Sequence, residues 1–498
     1  MPQKTLESTK KSGLQASFVV LLLLAIISTI LYAQFLLDPA IISNPFLYGI
    51  LLFVELYIIL QTIGNWWTIL YADYNPTQDH VYVEHYKELL KTAELNGGVD
   101  VFVTTYGEDV EIIRKTVIAA RDMYVNHKTY ILDDGKSELV KQLALELGVG
   151  YIIRSGNKNQ KAGNINNGLA GTSAQFFAVF DADHEPKKNF LLETLPFFWD
   201  EHVAFVQTPQ VLKNHNNIFS AGSSYAQKLF YDLVGRGKNR FNSMFWVGTN
   251  AVFRRKAIDE VGGIYLHTSE DILTSYQLHQ KEWKSIYIPR ELSNGLGPDS
   301  LQSYMKQQFR WAGGGFTLLL KMNPLFNPRL TIDQRIQYFL TSIFYFQGFI
   351  VLAMIIFPLF FIFFGEKAVN ADGYSWAIRY IPYLLFQFIT ILILTSKFSW
   401  QAFVLSINSF PAYIRAFFQV FNNKAAVWEV TGSSSTKSSS KLSFLWPHIV
   451  LAFLGVLALP LAFLRTEDTG TTLFSAFWVL LNTLSLLSFI YFSLKETS

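Results

Sequence analysis

Residues 17–37 (SFVVLLLLAIISTILYAQFLL) and 47–71 (LYGILLFVELYIILQTIGNWWTILY) are apolar runs, each long enough to cross a bilayer as a helix, because one span needs about 20 residues. Apolar runs return at about 338–364, 377–396, 444–464 and 472–493, after a polar, charged stretch of more than 200 residues. The layout reads as about six spans, two before a folded polar block and four after it. The first run is too long for a signal peptide and lacks a small-residue cleavage site, so it is expected to be retained. The expected division is 1–75 for the first two spans, 76–335 for the block and its flanking helices, and 336–498 for the remaining spans.

Half of the residues are apolar and 44 are Phe, a membrane-protein composition. The absence of Cys excludes disulfides, thiolate catalysis and Cys-ligated zinc. A net charge of +3 with no long basic run points away from nucleic acid. Lys4, Lys10 and Lys11 precede the first span, the short connection from Asp38 to Asn44 has no Lys or Arg, and the block is rich in both. That asymmetry predicts a multi-pass protein of the cell membrane with the block and both termini cytoplasmic. Residues 399–423 are apolar but interrupted by Asn408, Pro411 and Arg415, which suits a helix lying in the interface.

From residue 98 onward, short β-rich runs alternate with helical patterns, the signature of an α/β fold with a parallel sheet. VDVFVTTYGED, TYILDDG, GYIIRS, QFFAVFDAD and AFVQTPQ are the expected strands, and VEIIRKTVIAARDM is an expected helix. Polar residues gather at the strand ends: Thr104–Thr105–Tyr106, Asp133–Asp134, Asp181–Asp183 and Gln207–Thr208. In an open α/β sheet, ligands bind outside that edge.

Asp181 and Asp183 are two residues apart at a strand end, so both carboxylates face one side. Such a pair suits Mg²⁺ or Mn²⁺, while His184 is either a further ligand or a packing residue. The Gly/Asn-rich stretch 155–169, with Lys158 and Lys161, opens a helix; it reads equally as a phosphate-binding loop or an ordinary turn. Glu270 and Asp271 fall in the first turn of a predicted helix, as capping acids or as a pair containing a general base. In a helix over 301–320, Gln307, Arg310 and Trp311 share one face. Arg310 there suits a departing diphosphate and Trp311 a sugar ring, against the competing reading of an interface anchor.

Taken together and in this order, these stretches resemble the membrane-embedded family 2 glycosyltransferases typified by bacterial cellulose synthase. Asp133–Asp134–Gly135 resembles the family's D-D-G, Lys161–Asn166 its K-A-G-N-I-N, Asp181–His184 its D-x-D-H and Gln207–Pro209 its Q-T-P. VGTNAVFRR (247–255) resembles the loop beside the acceptor sugar, Ser269–Glu270–Asp271 the T-E-D motif with Ser for Thr, and Gln307, Arg310 and Trp311 the Q-x-x-R-W motif.

The resemblance implies a GT-A, Rossmann-like and mostly parallel sheet inserted between membrane helices. It implies a UDP-sugar donor held by Thr104, Tyr106, Asp133, Asp134, Lys161, Asp181, Gln307 and Arg310. Asp181 and Asp183 would hold Mg²⁺ or Mn²⁺, Asp271 would be the base with Glu270 beside it, and Gly248, Thr249, Asn250 and Trp311 would meet the acceptor. The implied reaction is an inverting transfer, with glucose as the default sugar, to a growing β-glycan exported across the membrane. A non-processive enzyme making a glycolipid such as glucosyl-diacylglycerol, or a synthase using UDP-N-acetylglucosamine, shares these motifs. Partners would be the donor, a polysaccharide or lipid acceptor, membrane lipids and export proteins. The family's F-x-V-T-x-K gating loop is matched by Val430 and Thr431 in WEVTGSSSTKSSS (428–440), but Ser433 stands where Lys is expected. No appended domain for sensing a cyclic dinucleotide is expected after the last span.

Overall fold

The computed structural model describes residues 2–70, 75–94, 96–395, 397–422, 442–465 and 468–495. The gating-loop match at Val430 and Thr431 lies outside them. The chain divides into two compact units: Met1–Ile63, Phe349–Phe410 and Leu445–Ser498 form one, and Gly64–Gly348 with Pro411–Phe444 form the other.

The second unit is built on a seven-stranded sheet. In chain order the strands of this unit are β1 (Val99–Thr105), β2 (Lys128–Asp133), β3 (Gly150–Ile152), β4 (Phe176–Asp181), β5 (Glu185–Pro186), β6 (Val203–Gln207), β7 (Val211–Leu212), β8 (Ala251–Arg254), β9 (Lys284–Tyr287) and β10 (Ser293–Gly295). The main sheet runs β3-β2-β1-β4-β8-β6-β9, and β5-β10-β7 form a small second sheet. β1 is buried along its whole length, as a strand covered on both faces must be. Val101, Val103, Ala178 and Phe180 feed the core on one face, and Phe102, Phe177, Val179 and Phe253 the core on the other.

Each of the five predicted strands is present, and the sheet is mostly parallel. β8 departs from a wholly parallel reading, because it pairs antiparallel with both β4 and β6. Its four residues are all buried, so no alternation of polar and apolar side chains marks its direction. The register sets Thr104 beside Asp181 and Thr105 beside Asp133, which brings the polar strand ends to one edge.

The first unit is helical. Among the described residues, five helices are long and apolar enough to cross a membrane: Val19–Leu36, Pro45–Ile69, Ile332–Phe364, Leu442–Leu464 and Thr469–Lys495. The sixth expected run, 377–396, falls in the helix Gly373–Thr395, which carries Arg379 and Pro382 and is not among those five. Tyr32, Leu36, Ile59, Tyr380 and Tyr383 form a buried cluster in this unit. Gly455 lets its helix approach Thr483, whose hydroxyl would lie 2.0 Å from a Cβ at that position. The stretch expected to lie in the interface is two helices, Trp400–Asn408 and Phe410–Phe421. The second buries Ala412, Tyr413 and Ala416 and exposes Phe418 and Phe421.

Candidate active site

The site grows from the ends of β1, β2 and β4. Lys161 stands in the first turn of the helix Gln160–Ala170, so its stem rises beside β4. Its ammonium donates to Asp181 Oδ1 and to the main-chain oxygen of Gly248, the latter at 2.8 Å. Thr104 Oγ1 lies 3.3 Å from the same Asp181 oxygen. The amide of Asp181 donates to Thr249 Oγ1 at 3.0 Å, which fastens the loop 247–250 across the strand end.

That loop is held from below by Gln207. Its Nε2 donates to the carbonyls of Thr208, Thr249 and Asn250 at 2.7, 2.9 and 3.1 Å, and its Oε1 accepts from the Val247 amide at 3.1 Å. Gly248 sits at φ +94°, a left-handed conformation that favours glycine. A Cβ built there would lie 3.6 Å from Asp271 Oδ2 and 3.8 Å from Lys161 Nζ. A carboxylate and a cation separated by nearly half of the chain's block thus both approach one glycine.

Asp271 and Glu270 occupy the first turn of the helix Glu270–Gln280. Asp271 Oδ1 accepts from the Ile272 amide at 2.8 Å. Ser269 starts this helix, and its hydroxyl donates to the main-chain oxygen of Arg310 at 3.2 Å. Arg310 therefore sits on a helix, Leu301–Thr317, docked directly against the start of the first. Gln307 and Trp311 are half-buried on that same helix, and Gln307 Oε1 is a buried atom with no hydrogen-bond partner.

Burial raises both carboxyls of the Glu270–Asp271 pair, and Asp271 raises Glu270 further, while Lys161 and Arg310 pull the two back. Asp181 behaves oppositely. Burial opposes its ionisation, but Lys161, His184 and Arg310 outweigh that and hold it below the usual carboxylate value. Arg310 acts on the acids of both patches, which places all of them within one field.

Asp181, Asp183 and His184 each offer a ligand atom, and these lie within 4.8 Å of one another, the one such group among the described residues. His184 Nδ1 is 2.8 Å from Asp183 Oδ1, and its buried Nε2 has no hydrogen-bond partner. A donor set of two carboxylates and an imidazole suits a divalent cation.

Two expected donor contacts are occupied within the protein. Asp133 accepts from Thr105 Oγ1, the amides of Gly135 and Ser137, and the Tyr151 hydroxyl at 2.8–3.2 Å. Asp134 forms a two-point ion pair with Arg154, at 2.6 Å on each arm. Both acids shape the strand end. Thr104 and Tyr106 lie on the same edge, with the Tyr106 amide donating to Glu108 Oε2 at 2.6 Å.

Glu108 is a site residue that the sequence reading missed. Burial pushes it up to about 7, and Asp183 and Asp181 add to the shift. Its position three residues past β1 was the available signal, but Asp109 next to it caps the following helix, and the two acids look alike in sequence. Trp246 was also missed. Its ring is fully buried, with the Lys161 ammonium 5.9 Å from the ring centre.

Residues 176–490 match the profile of the glycosyl transferase family group 2. Putative cellulose synthase 2 of Komagataeibacter xylinus is 32% identical over 305 residues, 59% of this chain and 20% of that protein. The UDP-forming cellulose synthase catalytic subunit of Pseudomonas fluorescens (strain SBW25) is 32% identical over 303 residues, 59% of this chain and 41% of that protein. Its counterpart in Xanthomonas axonopodis pv. citri (strain 306) is 33% identical over 265 residues, 50% of this chain and 36% of that protein. The chain thus spans from about a fifth to about two fifths of the length of these curated relatives.

Proposed function

The chain belongs to the glycosyl transferase family group 2, and on that premise we propose that it transfers a hexose, glucose by default, from a UDP-sugar to the terminal hydroxyl of a β-glycan. The observation that carries this reading is that Asp271 Oδ2 and Lys161 Nζ both come within 4 Å of where a Cβ on Gly248 would stand, with Asp181 bound to the same ammonium. A proton acceptor and a cation for the leaving group then stand near one glycine, where no side chain intervenes.

Asp181 and Asp183, with His184 beside them, would hold Mg²⁺ or Mn²⁺, which supplies positive charge for the donor diphosphate when bound. Lys161 and Arg310 add fixed positive charge at the same place, so the β-phosphate leaves as a stabilised anion. Asp271 takes the proton from the acceptor hydroxyl. The freed oxygen bonds to the anomeric carbon as the carbon–oxygen bond to UDP breaks, and the electron pair leaves with UDP. Attack opposite the leaving group inverts the centre, so an α-linked donor gives a β-linkage. The raised Asp271 carboxyl is a stronger proton acceptor than an exposed aspartate, which supports this role.

The loop 247–250 and Trp311 would receive the acceptor, and Thr104, Tyr106, Asp133, Asp134 and Gln307 would frame the uridine end. The Lys and Arg distribution supports a cytoplasmic block and termini. The membrane helices support export of a growing chain through the same polypeptide. The deciding experiment supplies the purified full chain with radiolabelled UDP-glucose and UDP-N-acetylglucosamine separately. A high-mass β-glucan is the expected product; a lipid-extractable product of one or two sugars would replace polymerisation with glycolipid synthesis.

A further inference from the structure

The helix Glu270–Gln280 begins at the two carboxylates, and near its far end stands His279, which is buried. Eight residues of helix separate Asp271 from His279, about 12 Å. A shift at one end therefore moves the other. His279 Nδ1 lies 2.7 Å from the Tyr338 hydroxyl and Nε2 lies 3.0 Å from Ser285 Oγ. Ser285 Oγ itself donates to Asn242 Oδ1 at 3.4 Å, so it accepts from Nε2–H, and Nδ1 accepts from Tyr338. This arrangement is that of a neutral imidazole with both nitrogens used. Burial, with Lys238 nearby, pushes His279 down to about 3, in agreement with the neutral form. Tyr338 also meets Tyr276, on the carboxylate helix, edge to face at 5.2 Å.

The helix bearing Tyr338, Ile332–Ile343, is held in turn by Lys238. The buried Lys238 ammonium donates to Gln337 O at 3.1 Å, Gln337 Oε1 at 3.2 Å and Thr341 Oγ1 at 2.8 Å. Gln337 Nε2 donates to Thr68 Oγ1 at 2.8 Å. Gly237, next to Lys238, packs so closely on Thr68 that a Cβ would come 2.0 Å from its carbonyl oxygen. These acceptors are neutral, and burial pushes Lys238 down to about 7. Surface solubility explains none of this. The side chains are buried, come from segments distant in sequence, and meet at the end of the carboxylate helix.

We propose that His279, Tyr338 and Lys238 are positioning residues for the transfer reaction. Together they clamp the helix of Glu270 and Asp271 to Ile332–Ile343 and to residues 64–69, and so fix where Asp271 meets the acceptor hydroxyl. The inference rests on Asp271 being the base.

Tyr338→Phe tests it, because the ring and its packing on Tyr276 remain while the hydroxyl that His279 needs is removed. In the full chain in detergent, kcat falls about tenfold or more, since misplacement of a reacting group by ångström distances is costly. The donor KM and UDP affinity stay unchanged, and the amides of residues 272–280 exchange hydrogen faster. Unchanged kcat, or unchanged amide exchange, overturns the clamp. Lys238→Met, which keeps the apolar stem, shows the same split between kcat and KM. If both variants lose UDP affinity in proportion to kcat, the effect is general unfolding and the proposal falls. Asp271→Asn run alongside separates the two ideas. Retained turnover there removes the base assignment, whereas an inactive Asp271→Asn beside a fully active Tyr338→Phe removes only the clamp.

Discussion

The main chain of Gly314 is seated against the side chain of Ser269: a Cβ on the glycine would come 2.6 Å from both Cβ and Oγ of the serine. Ser269 opens the helix of Glu270 and Asp271, and Gly314 lies on the helix of Arg310 and Trp311. The two helices that bear the proposed base and the proposed diphosphate cation therefore meet closely at this point, beside the Ser269–Arg310 hydrogen bond.

Gly314→Ala is expected to force these helices apart at an overpacking cost of about 1–3 kcal/mol. In steady-state kinetics kcat drops about tenfold or more. A Gly314→Ala variant with full turnover would show that the spacing does not matter.

Asp183→Ala removes one of the three candidate ligand atoms grouped at the end of β4. UDP titrated into this variant in Mn²⁺ binds about tenfold or more weakly than into the parent chain, and the difference disappears in a chelator. Equal affinities in Mn²⁺ would take Asp183 out of the metal group.

The pH dependence of kcat follows from the raised Asp271 carboxyl. A base at Asp271 works only when deprotonated, as proposed, and burial moves its proton loss above the usual aspartate value. The rate therefore climbs with pH through a range higher than an exposed aspartate would give, then levels. A profile of kcat at saturating donor, with the acid limb at the ordinary aspartate position, would contradict the assignment.

Much of the candidate site is legible in the sequence because its acids sit where periodicity changes. Asp181 ends a run of buried residues, and Asp271 opens a helix; such boundaries are visible in sequence. β8 was hidden because four buried residues carry no alternation. The internal engagement of Asp133 and Asp134 was hidden too, since Arg154 and Tyr151 reach them only in the folded sheet. The same holds for Lys238 and His279. Gln337 lies 99 residues from Lys238 and Tyr338 lies 59 from His279, and no local pattern announces a buried lysine without a carboxylate.

The most direct test of the central reading is Asp271→Asn, measured for sugar transfer from UDP-glucose and for UDP binding in the same preparation. Transfer should be abolished with UDP affinity nearly intact, because the amide keeps the shape and loses the proton acceptor. Turnover that survives the substitution would contradict it.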